Sequence, residues 1–553
     1  MPLRATTRLP DAPRAALIGR PASPFPALRG AALAALCALT LGTATLAPPA
    51  HAANPPGGIA WAPAATTAQV EAAFAKARAE KKPLFLYWGA AWCPPCNQVK
   101  ATVFNRADFI AASRQVVAVH LDGDSPGAQK LGGRYKVRGY PTMILFSPQG
   151  EELTRLPGEV DAPQYLRALQ GALAGGRPIA QVLADARAGK PLPDGAWQQL
   201  AWYSWETDEQ ALIPAVQRAA VLAQLAKAVP PSQPATAARL TLKAVSAAAG
   251  EKPAKPLDAD LRFAAGGALL RLLGDPAAAR EQMDLVTNEA RTLVTALSAA
   301  GTPERQQLVA AWDQAARRLQ ADATLSRADR LGALFARVAL ATLSLPEGAD
   351  AKTLPPALVE DVTRTVAAFD REITDGYERQ AVVTNAAELL KRAGRLADSD
   401  ALLQSNLARS HSPYYLMSQL GGNARARGDK AAALDWYQKA WEGAKGPATR
   451  IQWGAGYINA LVDLGPDQGE RIERAAATML GELGRTPDAF HERNARSAQR
   501  IGGKLAGWAS ASGAPSERGE RVQRLARELG PVCGQLPPKD AQRERCEQLF
   551  KPA

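Results

Sequence analysis

The sequence predicts two architectures in series: an α/β domain with a central mixed sheet flanked by helices, then a large all-α, helical-repeat-like region. Three observations carry this. Between residues 55 and 175, short continuous apolar runs alternate with segments of helical period. From Gly176 onward strand signals stop, and apolar residues recur at spacings of three and four, as at Ala431, Leu434, Tyr437 and Trp441. The chain's 553 residues, 47% hydrophobic and 22% charged, are enough for several packed cores. That composition excludes collagen, a disordered chain and a multi-span membrane protein.

Residues 1–52 read as an export signal. Arg4, Arg8, Arg14, Arg20 and Arg29 oppose a single acid, Asp11. An apolar stretch runs from Ala31 to Ala47, followed by Pro48-Pro49 and the small-x-small triplet Ala50-His51-Ala52. An uncleaved N-terminal anchor is the alternative, although the stretch is short and alanine-rich for a membrane span. Cleavage near Ala52 predicts a periplasmic or otherwise exported protein; it lowers the net charge from +13 to +9 and removes Cys37. Cys93, Cys96, Cys533 and Cys546 remain, an even number as an oxidising compartment produces. The positive charge is spread along the chain with no basic patch interleaved with aromatics, so no nucleic-acid partner is expected. With 4 histidines, a His-rich metal centre is excluded.

After a Pro/Gly linker (residues 55–58), Thr66 and Thr67 offer N-caps for a helix carrying Val70, Ala73, Phe74 and Ala77, which Lys81-Lys82-Pro83 stops. Leu84 to Trp88 is a continuous apolar run, the mark of a strand buried on both faces. Gly89-Ala90-Ala91-Trp92 leads into Cys93-Pro94-Pro95-Cys96 and a helix from Asn97 to Phe104. Asn105, with Asp108 three residues on, reads as the start of the next helix. Val116 to Leu121 is a second strand, Gly127 to Tyr135 a helix and Met143 to Phe146 a third strand. Gln149-Gly150 turns into a fourth strand, Glu151 to Leu156, and a helix from Pro163 to Leu173 closes the domain.

Two cysteines separated by two residues at a strand-to-helix junction have a definite chemical use. A helix start supplies unpaired N–H groups and the positive end of the macrodipole, and both favour a thiolate at the first cysteine. Cys93 is therefore the expected nucleophile on a partner disulfide. Cys96, one turn along, is the expected resolving thiol. Pro94 and Pro95 suit the first turn, where no backbone donor is needed. Half of a zinc site is the competing reading, but no second pair or histidine stands at a matching spacing.

Trp92-Cys93-Pro94-Pro95-Cys96 resembles the active site of the thioredoxin superfamily. The stretch from Tyr135 through Gly139-Tyr140-Pro141-Thr142 to Phe146, then Gly150-Glu151, is similar to that family's second signature. The Lys82-Pro83 strand entry and the Val103-Phe104 helix end resemble exported thioredoxin-like domains such as the C-terminal domain of the membrane thiol:disulfide interchange proteins. The resemblance implies a thioredoxin fold, a cis proline at Pro141 beside the cysteines, and a substrate strand pairing with the backbone of Tyr140. Trp92 would form a surface beside the sulfurs. One departure stands out: the family places a buried acid six residues before the first cysteine, and here that position is Tyr87. Asp122 and Glu151 are near in sequence, but nothing in the sequence puts them beside Cys96.

The helical region shows breaks at Val229 to Pro234, at Pro253 and Pro256, at Pro346-Glu347-Gly348 and at Pro355-Pro356. Late in the chain a spacing of 34 residues relates Gly394 to Gly428, Pro413 to Pro447, and Ala387 to Gly421, and the second copy weakly resembles a tetratricopeptide repeat. Trp197, Trp202 and Trp205 read as interhelix core, with a binding groove as the alternative. Cys533 and Cys546 read as a structural disulfide pinning the tail; two free thiols, or a pair shuttling with Cys93 and Cys96, are the alternatives. The chain thus divides into a signal (1–52), the thioredoxin-like domain (53–175), an all-helical region (176–380), a helical repeat region (381–510) and a tail (511–553).

Together these readings predict a periplasmic thiol–disulfide oxidoreductase acting on protein thiols and disulfides through Cys93 and Cys96, with no cofactor or metal. As a protein-disulfide reductase it would draw electrons from a membrane donor; the opposite direction stays open. The alternative is an exported helical scaffold that binds a protein partner, its thioredoxin fold serving as a docking module.

Overall fold

The computed structural model describes residues 58–551, apart from 138, 159, 209–211, 252–255, 344–353 and 512–516. The expected signal over 1–52 and the break at 346–348 lie outside the described residues.

The α/β domain is built on a five-stranded mixed sheet of order β1-β3-β2-β4-β5. Its strands are β1 (Ala62–Pro63), β2 (Leu84–Gly89), β3 (Val117–Asp122), β4 (Thr142–Phe146) and β5 (Glu152–Leu156). β1, β3 and β2 run parallel, and β4 and β5 are antiparallel additions. All six residues of β2 are buried, as a strand covered on both faces requires. The two-residue β1 is too short to leave a periodic signal. Helices α1 (Thr67–Glu80) and α4 (Ala128–Arg134) cover one face of the sheet. The other face is covered by α2 (Pro94–Val99), which continues as a π-helical turn (Lys100–Phe104), and by α3 (Ala107–Ser113) and α5 (Ala162–Leu173).

Local chemistry explains most boundaries. Thr66 accepts from Gln69 N–H while the Gln69 side chain accepts from Thr66 N–H, a reciprocal cap on α1. The expected start at Asn105 is displaced by one residue. Arg106 is the N-cap of α3 without a side-chain bond, and Asp108 is engaged instead by the Arg106 guanidinium at 2.6 Å.

A run of helices, α6 (Ile179–Arg187) to α25 (Ala541–Glu547), makes up the rest. Successive antiparallel pairs include α17 (Gly376–Arg392) with α18 (Leu396–Asn406), α19 (Pro413–Ala426) with α20 (Lys430–Gly443), and α21 (Pro447–Leu464) with α22 (Gly469–Gly484). The 34-residue spacing marks equivalent corners of these pairs. Pro413 and Pro447 both open helices at the first position, and Gly394 and Gly428 both take a left-handed conformation (φ 73° and 79°) just past a helix end. Gly421 lets two helices approach, since a Cβ there would sit 2.9 Å from the Tyr437 ring.

The two architectures share one core. The α2/α3/α5 side of the sheet is continuous with Ile179, Trp197, Leu200 and Trp205, and with residues of α21 such as Trp453 and Ile458. Trp197, Trp202 and Trp205 are buried there, with the Arg239 guanidinium 3.6 Å from the Trp202 ring centre. At the β5 edge, fully buried Arg155 pairs with Glu152 and donates to the carbonyls of Tyr135, Lys136 and Thr207. Far along the chain, Cys533 in α24 (Glu517–Gly534) is bonded to Cys546 in α25, both buried.

Candidate active site

β2 runs out at Gly89 and the chain turns through Ala90-Ala91-Trp92 into α2. Cys93 is the N-cap of that helix and Pro94-Pro95 its first turn. The Asn97 side chain ties the turn down by donating to the carbonyls of Ala91 and Cys93, each at 2.8 Å. Cys93 and Cys96 form a disulfide with their Cα atoms 5.2 Å apart, and the Cys96 N–H donates to Cys93 Sγ at 3.2 Å. In the reduced pair the same N–H and helix end favour negative charge on that sulfur. The Tyr140–Pro141 peptide is cis and enters β4 where Thr142 pairs with Trp88 at the end of β2. The Tyr140 ring meets that of Trp92 edge-on at 6.0 Å. Trp92, Cys93, Cys96, Tyr140 and Pro141 thus gather at one end of the sheet.

That end does not face solvent. Cys93 is 2% exposed, Cys96 0% and Trp92 6%. The sequence leads one to expect Trp92 as a surface beside the sulfurs, and helices far along the chain cover that surface. Its indole N–H donates to Thr449 Oγ1 at 2.7 Å, and Thr449 in turn donates, through its hydroxyl and its N–H, to the carboxylate of Asp124. The Gln380 amide donates to the Trp92 carbonyl at 3.3 Å. Tyr415 stacks on the indole, Trp453 meets it edge-on at 4.9 Å, and the Arg493 guanidinium lies over both Trp92 and Tyr140. Around this ring, Gln98 donates to Asp329 at 2.6 Å and Gln129 N–H donates to Asp488 at 2.7 Å. Sequence reasoning missed all of these partners. They lie hundreds of residues from the cysteines, and no local pattern marks a threonine or glutamine as a cross-domain contact.

Tyr87, at the position where an acid was expected, is buried, and its hydroxyl has no hydrogen-bond partner among the described residues. Burial pushes its phenol well above the ordinary value. His120 stacks on it with ring centres 4.8 Å apart, and burial pushes that imidazole down to about 4. Both are neutral at pH 7. Burial raises the Asp122 carboxyl and lowers the Lys100 ammonium, each opposed by the other's charge. Glu151 is exposed at the β4–β5 turn, the end of the sheet opposite the cysteines. Among the described residues no group of three His, Cys, Asp or Glu side chains is placed to hold a metal ion.

The family described as "Thioredoxin-like domain" matches residues 70–173. The chain carries a thioredoxin-like domain. Several curated relatives are similar to the chain over about a fifth of its length. The thiol:disulfide interchange protein DsbD 2 of Pseudomonas aeruginosa is 37% identical over 103 residues, 18% of either chain. DsbD of Pseudomonas fluorescens is 35% identical over 104 residues, again 18% of either chain, and DsbD of Yersinia pestis 30% over 116, 20% of this chain and 19% of that one. This chain therefore spans about a fifth of those relatives. Among solved structures, a thioredoxin from Thermus thermophilus is 29% identical, covering 18% of this chain and 80% of its own, with a TM-score of 0.17. The thioredoxin-like domain is followed by a large helical region, beyond the residues that the family model matches.

Proposed function

We propose that the protein is an exported thiol–disulfide oxidoreductase that exchanges disulfides with partner proteins, working as a reductase. The observation that carries this is the Cys96 N–H donating to Cys93 Sγ at the start of α2. In the reduced form, the Cys93 thiolate attacks one sulfur of a partner disulfide; an S–S bond forms and the partner's other sulfur leaves as thiolate. Cys96 then loses its proton to solvent and attacks Cys93 Sγ. The partner departs as a dithiol, and two electrons have passed to it from the Cys93–Cys96 pair. Tyr140 and Pro141 would present the partner's backbone to the sulfurs, and a membrane-bound thiol donor would restore the dithiol. The signal-like residues 1–52 support the exported setting; among the described residues no helix is long and apolar enough to cross a membrane. With Cys96→Ser, mixed disulfides through Cys93 should accumulate in cells and disappear on treatment with dithiothreitol. A variant that traps no protein would overturn the reading.

The burial of Cys93 favours a second reading, a tetratricopeptide-like scaffold that uses the thioredoxin-like domain as a docked module. The full-length chain would then reduce no disulfide in insulin, whereas an oxidoreductase turns it over.

A further inference from the structure

We propose that the helical region is an opening cover over the redox pair, so that the reactive state is a second arrangement in which Trp92 has let go of Thr449 and Gln380. This rests on the exchange reading only for its purpose; the closure itself concerns accessibility.

The thioredoxin-like domain is attached to the helices along two seams of different chemistry. The β5 seam is matched throughout. Arg155 has its carboxylate partner and three carbonyls, Ser204 N–H donates to the Arg155 carbonyl at 2.9 Å, and Ile179, Trp197 and Leu200 continue the apolar core. Nothing there favours parting. The cysteine seam combines an aromatic box with ionisable groups, Asp329 buried and Asp124 and Arg493 half-buried, that lack opposite charges within ion-pair distance. Asp124 meets Thr449, Asp329 meets Ser326 and Gln98, and Arg493 donates to the Gln452 amide; none has an ion-pair partner among the described residues. Charges drawn partly or wholly out of solvent without such partners add to the cost of holding a contact closed. The cysteine seam is therefore the one that parts, and the β5 seam is the hinge.

There is also room for the movement. Tyr415 and Trp453, the two rings that hold Trp92, form part of the wall of a cavity of about 370 Å3 further lined by Gln419, Tyr437, Asn459 and Arg500. Half-buried Tyr415 can yield into this space, while Trp453 stays tied to the core through its indole N–H on the Tyr414 carbonyl. The hydrogen-bond run Trp92–Thr449–Asp124 also makes the closure discrete: the Thr449 hydroxyl accepts from one side of the seam and donates back to the same domain, so one side chain latches the indole and the β3–α4 loop together.

The test uses the full chain, reduced and freed of reductant. Iodoacetamide alkylates Cys93 (a carbon–sulfur bond forms and iodide leaves), and the rate is read from the mass of the peptide that holds Cys93. Native protein should label at least about tenfold more slowly than the same chain in concentrated urea, because a closed cover leaves only the open fraction reactive. Thr449→Val and Gln380→Leu each remove hydrogen bonds across the seam and should speed labelling of the native protein about threefold to tenfold, with far-UV circular dichroism unchanged. Labelling of native wild type as fast as in urea would overturn the cover. So would folded variants that label no faster than wild type, and since Thr449→Val is nearly isosteric it serves if Gln380→Leu fails to fold. Should the loosened variants label rapidly yet reduce no protein disulfide, the exchange reading falls and the cover stands.

Discussion

Tyr87 shows how one residue can change the chemistry around a main-chain geometry that is otherwise in place. The main-chain site for the cysteines is in place, with the N–H on Cys93 Sγ and the turn held by Asn97. Yet the position expected to carry an acid holds a phenol that stays neutral, stacked on an imidazole that stays neutral. Neither group is poised at pH 7 to take up the Cys96 proton, so on the proposed exchange reading that step falls to solvent or to another group. A buried hydroxyl without a partner costs stability, so Tyr87→Phe should raise resistance to urea by about 1 kcal/mol while leaving the rate of exchange unaltered. A fall in that rate would give the phenol a role in proton transfer.

Single elements carry the next scale. α2 is short, and its opening is made by a cap and two prolines before it passes into a π-helical turn, so it depends on its neighbours for position. α17, through Gln380, and α21, through Thr449, supply that support. At the other end of the chain, α24 and α25 are joined by Cys533–Cys546 across a separation of 13 residues, and the tail reaches back to α23 (Glu492–Ser510), where a Cβ on Gly502 would collide with the Leu549 carbonyl. A closed loop of that size contributes about 3 kcal/mol on the chain-entropy account. Cys533→Ser/Cys546→Ser should therefore lower the urea midpoint measured by tryptophan fluorescence without slowing turnover of Cys93–Cys96. Slowed turnover would show electrons passing between the two pairs.

For the whole molecule, the decisive feature is that the thioredoxin-like domain is seated inside its helical region, with titratable groups buried or half-buried at the seam. Asp124 faces Thr449, Asp122 and Arg493; Asp329 faces Ser326, Gln98 and Asp161. Burial pushes both carboxyls up to about 6 from an ordinary value of 3.8. A carboxyl raised in the closed state binds its proton more tightly there than when the seam is open. Its contribution to closure is full below about pH 4 and is lost as pH rises through about 6. The cover should accordingly be tighter at pH 5 than at pH 7.5. Reduction of Cys93–Cys96 by a phosphine, taken relative to a small model disulfide at each pH, should accelerate over that interval, and Asp329→Asn should flatten the rise. A pH-independent ratio would show that these carboxylates do not couple to opening.

Much of this was legible along the chain. Continuous apolar runs marked β2 and β4 because strands covered on both faces need no polar alternation. The Cys-Pro-Pro-Cys spacing located the redox pair because only a helix start places two such sulfurs one turn apart, and the 34-residue recurrence of Pro413/Pro447 and Gly394/Gly428 located the corners of helix pairs because those residues answer to local backbone geometry. What surrounds the sulfurs was decided by the tertiary structure alone. Thr449, Gln380, Tyr415, Trp453 and Arg493 have no local signature, since a side chain's choice of a partner more than 250 residues away depends on how distant stretches of the chain pack together. The chemistry of the pair was written in neighbouring residues, and access to it in the packing of distant ones.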